Sequence, residues 1–364
     1  MTDAARHPET AAARPVRVAV MRLSSLGDVA MALPLLYAAC RDYPGVTFVL
    51  VTKKAFAGLA TEKPQNLTVL VADTKGRHKG PRGLVQLARD IDCDVFVDLH
   101  DVLRSKVVRN LLRMGRTRVT VFDKARAAKR ALTARGAARA EAVSPTTDRY
   151  ARALEKAGYR VGELCPLPVD STLPARHGIP AKKDGEKWVG MAPSAAHPAK
   201  VYPTEQLRKA AGKLLEQNPD LRLFLFGGKN EAAALGDFAL GLDRVTVVAG
   251  RDLGFAGEMA LMADLDAMVS MDSGNMHLAA ATGTSTVSIW GATHPAAGFG
   301  PVVCRRGQHH ILLQDNSLDC RPCSIFGNKP CHRVGEGTVP PCMQAITPDM
   351  IADAVNAVIT RQQP

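Results

Sequence analysis

VRVAVMRLSSLGDVAMALPLLYAACRDY, residues 16–43, is the stretch whose reading decides the fold. Val16 to Met21 make a short apolar run of strand length, and RLSSLGD follows before a helical pattern sets in. Val29, Leu33, Leu36 and Cys40 fall near one face of that pattern, as a 3.6-residue repeat requires. Pro34 lies inside it, so a kink or a late helix start is expected. TFVLVT at 47–52, LTVLVA at 67–72 and DVFVDLH at 94–100 are further short strands. Short β-branched strands alternating with helical stretches imply a mostly parallel, doubly wound α/β sheet.

The rhythm pauses at PLPVDSTLPARHGIPAKKDGEK, rich in Pro, Gly and Lys, and then restarts with WVGMAP, LRLFLFGG, RVTVVAG and TSTVSIWG as strands. A chain of 364 residues is long enough for two cores, since single cores usually stop growing at roughly 250–300 residues. The boundaries expected are a disordered lead-in over 1–15, a first Rossmann-like domain over 16–170 and a linker over 171–187. A second such domain over 188–346 carries a cysteine cluster at 320–342. A C-terminal helix over 347–364 has Thr347 as N-cap and Pro348 in its first turn, and is expected to pack back on the first domain. Two domains of this kind face each other across a cleft at the C-terminal ends of their strands.

The formal net charge is +12, and much of the excess lies between Arg104 and Arg139. Such a surface attracts phosphates, anionic lipid headgroups or nucleic acid, or simply keeps the protein soluble. Only 5% of residues are aromatic and no nucleic-acid-binding motif is present, so no nucleic acid partner is expected. There is no secretory h-region and no run of about 18 apolar residues, which points to the cytoplasm.

Four stretches could carry chemistry. In RLSSLGD, backbone N–H groups between strand and helix form an anion-binding turn, Gly27 permits close approach, and Asp28 either faces the cleft or caps its helix. In APSAAHPAKVYP, Ser194 and Lys200 suit a phosphate, although an exposed loop lysine is common. In GGKNE, Glu231 could accept from ribose hydroxyls or cap a helix. In MDSGNMHLAAATG, Asp272, Ser273 and Gly274 follow a strand, and a helix from near Asn275 presents N–H groups to an anion with Ser273 or Asn275 as cap. His277 lies on its first turn, as a ligand or a structural histidine. The segment lacks the G-x-S-x-G elbow of a serine hydrolase.

Cys320, Cys323, Cys331 and Cys342 have the spacing C-x2-C-x7-C-x10-C. Four thiolates suit a closed, tetrahedral structural zinc, and buried thiols or disulfides are the alternatives.

The ordered set VMRLSSLGD, DLHDVLRS, the Lys200 loop, FGG with Glu231, MDSGNMHLAAATGTSTVSIWGATHP and CRPC resembles glycosyltransferase family 9, the ADP-heptose:lipopolysaccharide heptosyltransferases. The resemblance runs from about Val18 to Thr360. It implies a GT-B fold and inverting transfer of a heptose from ADP-heptose to the lipopolysaccharide inner core, with no cofactor required for catalysis. It implies Asp28 as general base and Lys200 as the residue neutralising the donor diphosphate. Ser194, Glu231 and Asp272 would bind the donor, with Ser273, Gly274, Asn275, Met276 and His277 at the helix start. Ser24, Ser25, Gly27 and Arg104 are the acceptor-side candidates, and the acceptor would be met on an anionic membrane surface at the inner face of the cytoplasmic membrane. Ser194-Ala195 departs from the paired hydroxyl residues of many relatives. The competing readings are transfer from another nucleotide sugar, sugar-nucleotide epimerisation, and a basic nucleic-acid-binding protein.

Overall fold

The computed structural model describes residues 14–134, 141–335 and 337–361. Apart from Arg14 and Pro15, the expected lead-in lies outside them. The first half runs β1 (Arg17–Met21), α1 (Leu26–Asp42), β2 (Thr47–Thr52), α2 (Lys54–Ala57), β3 (Leu67–Val71) and α3 (Gly80–Ile91). It continues with β4 (Val95–Asp98), α4 (Leu103–Met114), β5 (Arg118–Val121), α5 (Arg126–Thr133) and α6 (Thr146–Lys156). The short α7 (Leu173–Arg176) interrupts the connecting segment. The second half runs β6 (Lys187–Ala192), α8 (Thr204–Gln217), β7 (Leu221–Leu225), α9 (Ala232–Ala239), β8 (Val245–Val247) and α10 (Gly254–Ala263). Then come β9 (Ala267–Met271), α11 (Gly274–Ala281), β10 (Thr286–Trp290), β11 (His310–Gln314), α12 (Pro341–Gln344) and α13 (Pro348–Arg361).

The strands form two parallel sheets, ordered β3-β2-β1-β4-β5 and β11-β10-β9-β6-β7-β8. In each sheet the direction of winding reverses next to its first strand, between β1 and β4 and between β6 and β9. Crevices at such reversals, at the carboxyl ends of the strands, are where open α/β sheets bind ligands. RLSSLGD follows β1, the Lys200 loop follows β6 and Asp272 follows β9, so topology alone gathers three of the four sequence motifs.

Alternation along β1 divides the first domain into two layers. Ala19 and Met21 pack with Leu87, Ile91, Val108 and Leu112 of α3 and α4. Val18 and Val20 face α1 and α6, in a cluster that continues into the second domain through Leu278, Ala279, Met259 and Met262. That shared core explains why α1 is apolar almost all round: it is wedged between its own sheet and α11. The helix starts at Leu26, well before Pro34, which lies buried in its interior. The domains approach closely because glycines meet side chains on both sides. A Cβ on Gly27 would lie 2.5 Å from His277 Cδ2, and one on Gly274 would lie 2.4 Å from Leu26 Cδ2.

The C-terminal helix departs from expectation. α13 packs on α8 of the second domain, not back on the first. Its apolar positions Ile351, Val355, Val358 and Ile359 complete the core that Leu207, Ala211 and Leu214 leave open.

Candidate active site

The cleft between the sheets holds a cavity of about 620 Å³. From the first domain it receives Ser25, Gly27, Asp28 and Met31. From the second it receives Ser194, Lys200, Glu231, Asp272, Ser273 and His277. Asp28 sits in the first turn of α1, where the Ser25 N–H and hydroxyl donate to Oδ2 at 3.0 and 2.9 Å. Arg22, at the end of β1, forms an ion pair with the same oxygen. Burial works to raise the Asp28 pKa, but Arg22 and the Ser25 donors outweigh it and hold the carboxyl below the usual aspartate range.

Lys200 reaches across from the loop after β6. Its Nζ lies 2.8 Å from Asp272 Oδ2 and donates to the Asp272 carbonyl at 3.2 Å. Ser273 is the N-cap of α11, but its hydroxyl turns to Ser270 Oγ at 2.9 Å instead of capping the helix, whose first residues Gly274 and Asn275 line the cavity. His277 is buried with Nδ1 unpartnered, and burial lowers its pKa. A neutral ring is the form this place supports. Glu231 lines the cavity and also caps, since its Oε2 accepts from the Gly228 N–H at 2.6 Å.

A second cavity of about 490 Å³ adjoins the first and contains what the sequence reading missed. Arg22, Lys124, Lys129 and Arg149 give it a positive lining, and Asp28 is the one carboxylate among the described residues that line it. Phe122 and Tyr150 from the first domain and Phe299 and Phe326 from the second form its apolar walls. The Lys129 ammonium lies 3.9 Å from the centre of the Phe299 ring. Burial, with help from Arg149, pushes its pKa down to about 7. Asp28, Phe299, Ile325 and Phe326 line both cavities, so Asp28 stands on their common boundary.

Three of the candidates lie outside this constellation. Ser24 and Arg104 line neither cavity; Arg104 is on the first turn of α4, past the end of β4. Met276 is fully buried, because α11 turns it into the interior between cavity-lining neighbours. The four clustered cysteines are free thiols. Among the described residues no group of three or more His, Cys, Asp or Glu side chains is placed to hold a metal ion, so the expected zinc site is not assembled. Arg321 organises that segment: its buried guanidinium donates to the carbonyls of Trp290, Gly291, Thr293 and Asp315.

With this geometry established, comparison with known proteins gives a consistent result. The sequence model described as glycosyltransferase family 9 (heptosyltransferase) matches residues 84–321. The chain belongs to glycosyltransferase family 9. It is accordingly a transferase enzyme with a GT-B fold. Lipopolysaccharide heptosyltransferase 1 of Pseudomonas aeruginosa is 28% identical over 329 residues, covering 85% of this chain and 86% of that protein. Among solved structures, a family 9 glycosyl transferase from Veillonella parvula superposes with a TM-score of 0.72 at 19% identity, covering 96% of this chain and 99% of that one. The Escherichia coli ADP-heptose LPS heptosyltransferase II gives 0.67 at 18% identity, covering 96% and 100%. This family 9 member thus shares its whole architecture with them. No helix among its described residues is long and apolar enough to cross a membrane.

Proposed function

We propose that this chain is an inverting heptosyltransferase that moves a heptose from ADP-heptose to an anionic sugar of the lipopolysaccharide inner core, at the cytoplasmic face of the membrane. The observation that carries the reading is the place of Asp28 on the boundary of two cavities. One suits a nucleotide sugar, and the other is positively lined and suits a negatively charged acceptor. The choice of heptose, ADP and lipopolysaccharide is supported by the names of the Pseudomonas and Escherichia relatives, a lipopolysaccharide heptosyltransferase 1 and an ADP-heptose LPS heptosyltransferase II.

In this reaction an acceptor hydroxyl in the second cavity gives its proton to Asp28. Its oxygen bonds to the anomeric carbon from the face opposite the diphosphate. The bond from that carbon to the diphosphate oxygen breaks, and ADP departs with the electron pair. Negative charge grows on the leaving oxygen, where the N–H groups of α11 and the Lys200 ammonium stabilise it. Lys200 is held by Asp272 before the donor arrives, so binding exchanges one anionic partner for another. Asp272 is then free to accept from sugar hydroxyls, and Glu231 from the ribose.

The test is Asp28→Asn, with ADP-heptose binding followed by calorimetry and transfer followed with purified acceptor. Loss of a general base costs about 10²–10⁴ in rate, with donor affinity retained. An Asp28→Asn enzyme that transfers at the parent rate refutes the role of Asp28. Preference for a UDP or GDP sugar would keep the chemistry and change the donor.

A further inference from the structure

We infer that α4 is the face by which this enzyme docks on an anionic lipid surface. The inference rests on the proposed function in one respect: a lipid-anchored acceptor gives docking a purpose.

The helix is apolar on the wrong side for a freely solvated protein. Val108 and Leu112 pack inward against the sheet, as a surface helix requires. Leu103, Val107 and Met114 lie on the outer side, 79%, 36% and 83% exposed. Positions 103, 107 and 114 recur at four and seven residues, so they share one stripe roughly 16 Å long at 1.5 Å per residue. Isolated exposed apolar residues are ordinary, but three aligned on one twelve-residue helix form a patch.

The charge around the stripe selects its partner. From Leu103 to Arg118 the chain carries six basic residues and no acidic one. Arg109 is the one with carboxylate partners, Asp98 and Asp101; the other five form no ion pair among the described residues. A water-facing helix stabilised by its own ion pairs would alternate signs. An apolar stripe flanked by basic side chains alone matches an anionic membrane interface, where the stems reach down and the charges meet headgroups. The stripe also starts at the right place. Arg126, which lines the acceptor cavity, donates to Asp101 Oδ2 at 2.7 Å, two residues before Leu103. A membrane touching α4 therefore lies next to the cavity proposed for the acceptor.

The experiment is co-sedimentation of the full chain with vesicles of phosphatidylcholine alone or mixed with phosphatidylglycerol. The wild type should sediment with the mixed vesicles and be released by salt. Each basic side chain near an anionic surface contributes roughly fivefold to partitioning, so Arg113→Glu/Arg116→Glu should bind at least tenfold more weakly. Leu103→Ser/Val107→Ser/Met114→Ser should lose binding to a comparable extent while melting at the wild-type temperature, since the stripe makes no core contact. Both variants should transfer to a water-soluble, deacylated acceptor at the wild-type rate. A wild type that stays in the supernatant, or a triple serine variant that sediments like it, overturns the inference. So does a wild-type dimer in vesicle-free buffer that the serine variant abolishes, since the stripe would then belong to a second copy. A wild type that binds vesicles but transfers heptose to no lipopolysaccharide acceptor overturns the proposed heptosyltransferase function alone, and the docking face stands on the vesicle result.

Discussion

Glu258 offers a sharp test of the electrostatics of the cleft. It lies on α10 beside Phe255, lines the larger cavity, and makes no hydrogen bond or ion pair among the described residues. Burial without compensation pushes its carboxyl from an ordinary 4.5 up to about 7. Between those values the folded state holds a proton that the unfolded chain has lost, so stability falls as pH rises. Below 4.5 both states are protonated and the penalty vanishes; above 7 it is constant. Integrating the linkage gives a cost of about 1 kcal/mol at pH 5 and about 3 kcal/mol at pH 8. Glu258→Gln keeps the shape and removes the titration, so its advantage over the wild type should widen by about 2 kcal/mol between those pH values. For a chain of this length, unfolding entropy near 2.1 cal/mol/K per residue converts that to a gap in Tm of roughly 3 °C. Thermal melts of both proteins in matched buffers decide it. Parallel curves of Tm against pH would mean that Glu258 is solvated or partnered in solution, and the reasoning would fail.

The packing and charge of the cleft set three further outcomes. Gly27→Ala puts a methyl group against the His277 ring and should cost about 1–3 kcal/mol, lowering both Tm and kcat because the displaced helix carries Asp28; an unchanged melt would show that α1 and α11 part freely. Lys200→Ala should weaken ADP binding about 10–100-fold by calorimetry, the worth of a charged hydrogen bond of about 1.5–3 kcal/mol, and equal affinity would remove Lys200 from the donor site. Lys129→Met should raise the KM for an anionic acceptor about tenfold while donor affinity holds. The defect should be greatest below pH 7, where the wild-type ammonium is protonated, and a pH-independent defect would point to packing against Phe299 instead.

The backbone plan was open to sequence reading because it depends on local pattern. Thr47–Thr52 is bounded as its β-branched run suggests, and Asp28, Lys200 and Asp272 stand out in the sequence because each follows a strand-like run; the structure places each of those strands at a winding reversal. The positively lined second cavity was not open to it. Lys124, Lys129 and Arg149 come from segments rich in Ala and Arg, where no periodicity says which cation turns inward, and Phe299 and Phe326 come from the other domain. Arg104 drew attention because it sits in a motif, yet the helix carries it outside both cavities. Met276 failed for the opposite reason: a motif of consecutive residues cannot all face one way on a helix. α13 has an apolar face that either domain could have covered, and only the gap beside α8 decides between them.

The low pKa of Asp28 runs against service as a base, because a general base works best when its pKa lies near the operating pH. The adjoining donor resolves this. A nucleotide diphosphate brings multiple negative charges into the same cleft, and like charge raises the pKa of a carboxylate. An aspartate poised near neutrality before donor binding would be protonated by it and lost as a base. Arg22 and the Ser25 donors hold the Asp28 carboxyl below the usual aspartate range, which on the proposed function opposes the upward shift that a diphosphate would bring. Under the proposed function the pair would also order the reaction. Without a donor, Asp28 is held below the usual aspartate range and Lys200 is paired with Asp272. On that proposal, donor binding would engage Lys200 and raise the basicity of Asp28 together, so the base would strengthen when there is a sugar to transfer.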